Sequence, residues 1–129
     1  MGQKANPLAQ RFGISVNTSS NWYAEGREYA NNVLAELEMR KYVLKTYKSA
    51  GVSEVFVERP GNNAKITIKC SRPGIIIGKK GSDVEALRQV LEVFMKTPVH
   101  VSVEEVRRVD LDAKLVAESI ASQLERRVL

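Results

Sequence analysis

The residues best suited to bind a charged ligand form the run Gly78-Lys79-Lys80-Gly81, the GKKG turn. Glycines on either side of two lysines permit a tight turn whose backbone N–H groups face outward, and the two ammonium groups add positive charge. Ser82, with Glu85 three residues later, predicts a capping box at the start of a helix. The N-terminus of that helix would attract a phosphate to the same place. We therefore predict that this turn binds the phosphates of a nucleic-acid backbone.

The motifs of nucleotide-binding enzymes do not fit this run. A P-loop has four residues between its glycines, followed by Lys and Ser or Thr, whereas three residues separate Gly74 from Gly78 and Lys79 is followed by Lys80. The three-glycine spacing of the dinucleotide fingerprint is missing as well. A phosphate-binding enzyme remains as an alternative hypothesis from a different class, but we expect no enzymatic activity.

The cysteine and histidine content predicts neither a nucleophile pair nor a metal site. The single cysteine, Cys70, and the single histidine, His100, fall on the inward and outward faces of their strands. We therefore expect no metal and no cofactor. Cys70 cannot form an internal disulfide, which suits a reducing compartment, with the cytoplasm as the default. No apolar run approaches the ~20 residues of a membrane span, so a membrane partner is not expected.

Positive charge is unevenly distributed along the chain. The 129 residues carry 20 Lys and Arg against 15 Asp and Glu, a net charge of +5. Every charged residue between Glu58 and Asp83 is basic. A binding face for a polyanion would account for this local excess. A solvated run of surface charge is the alternative interpretation.

An arm and a helix are predicted at the start of the chain. Residues 1–24 show no sustained periodicity and indicate an arm with little core of its own. Trp22 and Tyr23 at its end are interpreted as an anchor onto the domain, with stacking on a base as the alternative. A helix is predicted from about residue 27 to 48, because apolar side chains recur at helical spacing. These are Tyr29, Val33, Leu37, Leu44 and Tyr47.

Two alternating runs predict a β-hairpin after this helix. Val52–Arg59 and Ala64–Cys70 are separated by the turn sequence Pro60-Gly61-Asn62-Asn63. In the second run, alternation places Ile66, Ile68 and Cys70 inside and the lysines on the solvent face. Cys70 is then a buried apolar residue rather than a reactive thiol.

The GKKG turn is predicted to join two helices. A brief helical turn over Gly74–Ile77 precedes it, and a helix follows up to Lys96. A third strand starts at Val99, and Asp110 and Asp112 begin a last helix. The helix after the turn has the apolar positions Val84, Leu87, Leu91 and Phe94, and the last helix has Leu115, Val116, Ile120 and Leu124.

The run Ile76 to Val84 resembles the signature of a KH domain, whose GxxG loop clamps about four nucleotides. The element order, with a helix and two strands before the GxxG unit and one strand after it, resembles the type II KH arrangement. This resemblance implies an α+β fold: a mixed three-stranded sheet backed by helices, with an N-terminal arm and a C-terminal helix. Ile76, Ile77 and Val84 would line a groove for splayed bases, with most of their surface in the core.

Further blocks resemble the family of bacterial small-subunit ribosomal protein S-three. They run in order through the chain: Met1–Pro7 with Arg11, Gly13-Ile14, Trp22-Tyr23, Glu58-Arg59-Pro60, Arg72-Pro73-Gly74, Leu111–Ala117 and Gln123–Arg127. The resemblance implies a structural protein of the small-subunit head, near the path by which messenger RNA enters. Its implied partners are small-subunit ribosomal RNA and ribosomal proteins S-ten and S-fourteen, with messenger RNA as a further ligand.

Members of that family continue into a second domain. The resemblance therefore implies an N-terminal half, with an RNA- and protein-contacting arm at 1–24 and a type II KH domain at 25–129. We expect a non-enzymatic, ribosome-bound RNA-binding protein, and a stand-alone KH module for other single-stranded RNA is the alternative. The expected RNA contacts are Lys4, Arg11, Lys65, Lys69, Arg72, Gly78, Lys79, Lys80, Gly81, Arg126 and Arg127.

Overall fold

The computed structural model describes residues 2–127, so Met1, the first residue of the predicted arm, lies outside the described residues. Short 3₁₀ turns cover Ala9–Arg11, Lys48–Ala50, Lys79–Gly81 and Val109–Leu111. The helices and strands are β1 (Ser20–Asn21), α1 (Gly26–Thr46), β2 (Val52–Glu58), β3 (Ala64–Cys70), α2 (Pro73–Ile77), α3 (Ser82–Met95), β4 (Val99–Glu105) and α4 (Ala113–Glu125). In the described part of the chain, no helix is long and apolar enough to cross a membrane.

The sheet is mixed and has the strand order β1-β2-β3-β4. β2 and β3 form the predicted antiparallel hairpin, and β3 pairs in parallel with β4. This confirms the α+β class and the three predicted strands. The fourth strand, β1, was missed: it comes from the arm and pairs Ser20 with Val57. Two residues are too few to show an alternating pattern.

Helices α1, α2 and α3 pack on one face of the sheet. The inward side chains of β3, Ile66, Ile68 and Cys70, are fully buried, together with Val43 of α1 and Leu91 of α3. Burying an aliphatic side chain of this size stabilises the fold by roughly 1.5–3 kcal/mol. The alternation predicted for β3 is therefore confirmed, and Cys70 is a core residue.

The predicted apolar face of α1 is wrong. Tyr29 and Leu37 are 55% and 47% exposed, whereas Glu36 is buried with Met39 and Val43. The spacing of apolar residues could not predict this buried face, because its first residue, Glu36, carries a carboxylate. Its burial depends on polar partners that lie elsewhere in the sequence.

Glu36 fastens the arm to α1. Its Oε2 accepts a hydrogen bond from Nε1 of Trp22 at 2.7 Å, and its Oε1 accepts one from the Ser20 hydroxyl and pairs with Nη2 of Arg40 at 2.7 Å. The guanidinium of Arg40 also donates to the backbone oxygen of Ser19 at 2.9 Å. The anchoring role predicted for Trp22 is thus confirmed, but Tyr23 is 83% exposed and anchors nothing.

Helix α4 starts as predicted but leaves its apolar stripe open. Asp112 caps it, accepting hydrogen bonds from the backbone N–H groups of Lys114 and Leu115, while Asp110 lies one turn earlier. Of the predicted stripe, only Leu115 is buried. Val116, Ile120 and Leu124 are exposed, because nothing in the described residues packs against that side of α4.

Candidate nucleic-acid interface

The GKKG turn is a tight link between α2 and α3. α2 ends at Ile77, and Gly78 adopts φ 70° and ψ −171°. The next residues form a single 3₁₀ turn in which Lys80 has φ 55° and Gly81 has φ 80°. Residues with a side chain rarely adopt positive φ, so the glycines allow this backbone path at little conformational cost. The predicted helical turn before the loop and the helix after it are both confirmed.

Asp83 packs directly against Gly78. A β-carbon placed on Gly78 would collide with the carboxylate of Asp83, so only glycine fits here. Ser82 donates a hydrogen bond to Oδ1 of Asp83 at 3.0 Å. The first turn of α3 therefore defines the path of the loop that precedes it.

The capping box predicted for Ser82 and Glu85 is wrong. Gly81 is the N-cap residue of α3, and no side chain caps it. Ser82 already has helical backbone angles, so its hydroxyl cannot reach the N–H groups of the first turn. Glu85 instead pairs with Arg88 at 2.5 Å, and this hydrogen bond lowers the pKa of the Glu85 carboxyl.

The two lysines of the turn are available to a ligand. Lys79 and Lys80 are exposed, and neither ammonium group pairs with an acid within residues 2–127. They lie where the N-terminal N–H groups of α3 are unsatisfied by a side-chain cap. An anion at this position would meet two cations and the positive end of the helix dipole together.

The apolar residues beside the turn differ from those predicted. Ile76 is fully buried and cannot line a groove, so the prediction is wrong for this residue. Ile75 and Ile77 are 41% and 40% exposed, and Val84 is half-buried. Three consecutive isoleucines in a helical turn cannot share one face, because neighbouring residues of a helix point in different directions. This spacing could have identified Ile75 as partly exposed.

Two of the predicted contacts, Lys65 and Lys69, lie far from the turn. Their side chains lie on the face of the sheet that is opposite to the helices, because they alternate along β3 with the inward residues. Lys65 pairs with Glu58 at 3.2 Å, and the ammonium group of Lys69 lies 4.6 Å from the centre of the Phe56 ring. The structure therefore does not join them to the GKKG turn.

The remaining basic residues are all exposed but scattered. Arg72 directly precedes α2, on the same connection as the turn. Lys4 and Arg11 lie in the arm, which joins the sheet at the β1 edge, whereas α2 packs against β4 at the other edge. Arg126 and Arg127 follow the last turn of α4. Among these five residues, Arg72 alone lies on the same connection as the turn, at the other end of α2.

Residues 2–127 offer no set of three or more His, Cys, Asp or Glu side chains arranged to hold a metal ion. Cys70 is buried while His100 is exposed on β4, so the two do not meet. Burial raises the pKa of the Cys70 thiol above its usual value, which disfavours the reactive thiolate.

Residues 38–111 match the family model of the KH domain, a span that includes β2, β3, α2, the GKKG turn, α3 and β4. The chain belongs to the KH domain family. The match places the GKKG turn and both helices beside it inside the KH domain. The fold and the element order agree with the type II arrangement implied by the sequence.

The chain is also similar over all its residues to ribosomal proteins. It is 52% identical to the small ribosomal subunit protein uS3 of Hahella chejuensis over 129 residues, 53% to that of Coxiella burnetii strain RSA 331, and 54% to that of Stutzerimonas stutzeri. It spans 57% of the length of each. The resemblance to the S-three family is thereby confirmed.

Proposed function

We propose that this KH domain binds RNA as a structural part of the small ribosomal subunit. The carrying observation is the GKKG turn, where two exposed lysines without acidic partners in the described chain meet an uncapped helix N-terminus. Phosphates bind to the lysines and the backbone N–H groups, while Ile75 and Ile77 offer apolar surface for unstacked bases. The names of the relatives support the ribosomal assignment.

The finer assignment follows the family. The RNA is small-subunit ribosomal RNA in the head, near the messenger RNA entrance, and the place of action is the cytoplasmic ribosome. The arm, with Lys4 and Arg11, makes a second set of contacts, and neighbouring ribosomal proteins such as S-ten and S-fourteen pack against the domain. The role is binding and assembly rather than catalysis.

The test is a charge reversal in the turn with a matched control. Lys79→Asp/Lys80→Asp should weaken binding of a single-stranded RNA from the small-subunit head by more than about tenfold, because two phosphate contacts become repulsive. Lys41→Asp/Lys45→Asp makes the same charge change on exposed positions of α1 and should have a much smaller effect. Equal losses in both variants would reduce the turn to a part of the general surface charge.

Salt titration measures how many phosphates are bound. Each neutralised phosphate of a single strand contributes a log–log slope of about −0.7, so the wild-type slope should be roughly −2 or steeper and become shallower by more than one unit in the turn variant.

In cell lysate, the protein should sediment with small subunits. Sedimentation away from them, with RNA binding intact, would favour a stand-alone KH module, and nucleotide hydrolysis lost in Lys79→Ala would favour an enzyme.

A further inference from the structure

Asp83 is an acid at the place where the proposed site binds phosphates. It is the first acidic residue after Glu58 in the sequence, and it follows the GKKG turn by two residues. Its carboxylate packs against Gly78, the first residue of the turn, and Asp83 is exposed to solvent. A negative charge here repels phosphates, so its presence beside the turn needs a physical reason.

Asp83 differs from the other acid in the first turn of α3, Glu85. Both acids interact favourably with the dipole of the helix. Glu85 pairs with Arg88 at 2.5 Å, whereas Asp83 forms no ion pair within residues 2–127. The only hydrogen bond that Asp83 accepts from the described chain comes from the Ser82 hydroxyl and goes to Oδ1. Asp83 therefore keeps a charged acceptor, Oδ2, that no donor of the described chain satisfies.

The carboxylate of Asp83 lies close to the two lysines of the turn. It contacts Gly78, and Lys80 is two residues further along the chain. Two residues span at most roughly 7 Å, which is comparable to the size of one nucleotide. A nucleotide whose phosphate binds at the turn would therefore bring its own sugar close to Asp83.

The ribose 2′-hydroxyl is the hydrogen-bond donor that every RNA nucleotide carries next to its phosphate. The carbon that bears it is bonded to the carbon that bears the 3′-phosphate, whereas amino groups belong to the bases and differ from one base to another. A carboxylate only accepts hydrogen bonds, and a bond to a charged acceptor is stronger than a bond to a neutral one. DNA lacks this donor, so it would meet the charge of Asp83 without the bond that offsets the repulsion.

We propose that Asp83 selects RNA over DNA by accepting a hydrogen bond from a ribose 2′-hydroxyl at the GKKG turn. This proposal rests on the proposed function, because the turn must hold the strand for the sugar to reach Asp83. The lysines supply affinity for any single strand, and Asp83 makes that affinity depend on the sugar. Gly78 contributes as well, since only glycine leaves room for the carboxylate beside the turn.

The test compares the binding of two strands of the same sequence to the purified chain. One strand is a single-stranded RNA from the small-subunit head, and the other is its DNA version with uracil kept in place of thymine. The wild type should bind the RNA about tenfold more tightly than the DNA. Asp83→Ala should bring the two affinities to within about twofold, by weakening the RNA complex and leaving the DNA complex unchanged or stronger. A purely structural role in the loop would instead weaken both complexes.

A scan of single 2′-deoxy nucleotides along the RNA locates the contact. At one position, removing the 2′-hydroxyl should weaken binding to the wild type about tenfold and should have little effect on binding to Asp83→Ala. A 2′-O-methyl group at that position should also weaken binding to the wild type, because it removes the donor and keeps the acceptor. Asp83→Asn retains a neutral acceptor, so its preference for RNA should lie between those of the wild type and Asp83→Ala.

Two control variants separate this proposal from the proposed function. Glu85→Ala removes the other acid of the first turn and should leave the preference for RNA unchanged. Lys79→Asp/Lys80→Asp should weaken the binding of RNA and DNA alike. If the wild type binds both strands equally and the lysine variant binds neither, the turn still binds phosphates but the role of Asp83 is overturned. Equal 2′-deoxy effects in the wild type and Asp83→Ala would also overturn it, and a wild type that binds neither strand would overturn the proposed function as well.

Discussion

The carboxylate of Asp83 occupies the space that a β-carbon on Gly78 would need. This contact couples the first turn of α3 to the GKKG loop, and Gly78 also has a φ of 70°. Two independent physical constraints, space and backbone angle, therefore require glycine at one end of the loop. Even a single added methyl group at Gly78 should therefore disturb the loop.

Gly78→Ala should distort the loop while leaving the core intact. We expect a loss of about 1–3 kcal/mol in the free energy of unfolding, from positive-φ strain and the collision with Asp83, and a clear loss of RNA affinity. The matched control is Gly74→Ala in α2, where a β-carbon meets open space and φ is ordinary. That variant should be neutral or more stable by up to about 1 kcal/mol, because alanine is the better helix former. Similar RNA affinities for both variants would contradict the assignment.

Glu36→Ala should release the arm from α1. It leaves Nε1 of Trp22 without its acceptor in a buried place and removes the carboxylate that pairs with Arg40, which costs about 3 kcal/mol of stability. Trp22 is the only tryptophan, so its fluorescence should shift to longer wavelength as the indole gains water. Glu38→Ala, an exposed position on the same helix, serves as the control and should leave both readings unchanged. An unshifted spectrum in Glu36→Ala would show that the arm is held by other contacts.

Asp112 should make stability depend on pH at the acid end. Its hydrogen bond from Ser53, joined by those from the first N–H groups of α4, holds the pKa of the carboxyl below its usual 3.8. Because the folded-state pKa is lowered, the stabilisation is present above about pH 4 and is lost as the pH falls through the folded-state value. Asp112→Ala should cost about 1 kcal/mol in urea unfolding at pH 7 and progressively less below pH 4. Asp110→Ala, exposed in the preceding turn, should show neither effect.

Cys70 should react with thiol reagents only when the protein opens. The side chain is fully buried and its pKa is raised by burial, so both access and thiolate formation are suppressed. Ellman's reagent should modify the native protein slowly and the urea-unfolded protein at once. Ser49→Cys adds a thiol at an exposed position and should react immediately in the native state. Rapid native labelling of Cys70 would place this strand outside the stable core.

Much of the fold could be predicted from local patterns. Alternation located β2, β3 and β4, and glycine and proline marked the turns between them, because burial on one face of a strand repeats with every second residue. The GKKG turn was found from composition alone, since its conformation depends on glycines within the turn itself. The predicted face of α1 failed where burial rests on the hydrogen bonds of Glu36 with Ser20 and Trp22, which are distant in sequence.

The sequence by itself determined the order of the helices and of β2, β3 and β4, the position of the GKKG turn, and the resemblance to the S-three family. Only the tertiary structure decided which charges act together. It placed Lys65 and Lys69 across the sheet from Lys79 and Lys80, and it joined Glu36 of α1 to Trp22 of the arm and to Arg40. The physical reason is the sequence separation of the interacting residues. Turns and periodicities depend on residues that are neighbours in the sequence. Electrostatic and hydrogen-bonding surfaces depend on distances between elements that only the packed core brings together.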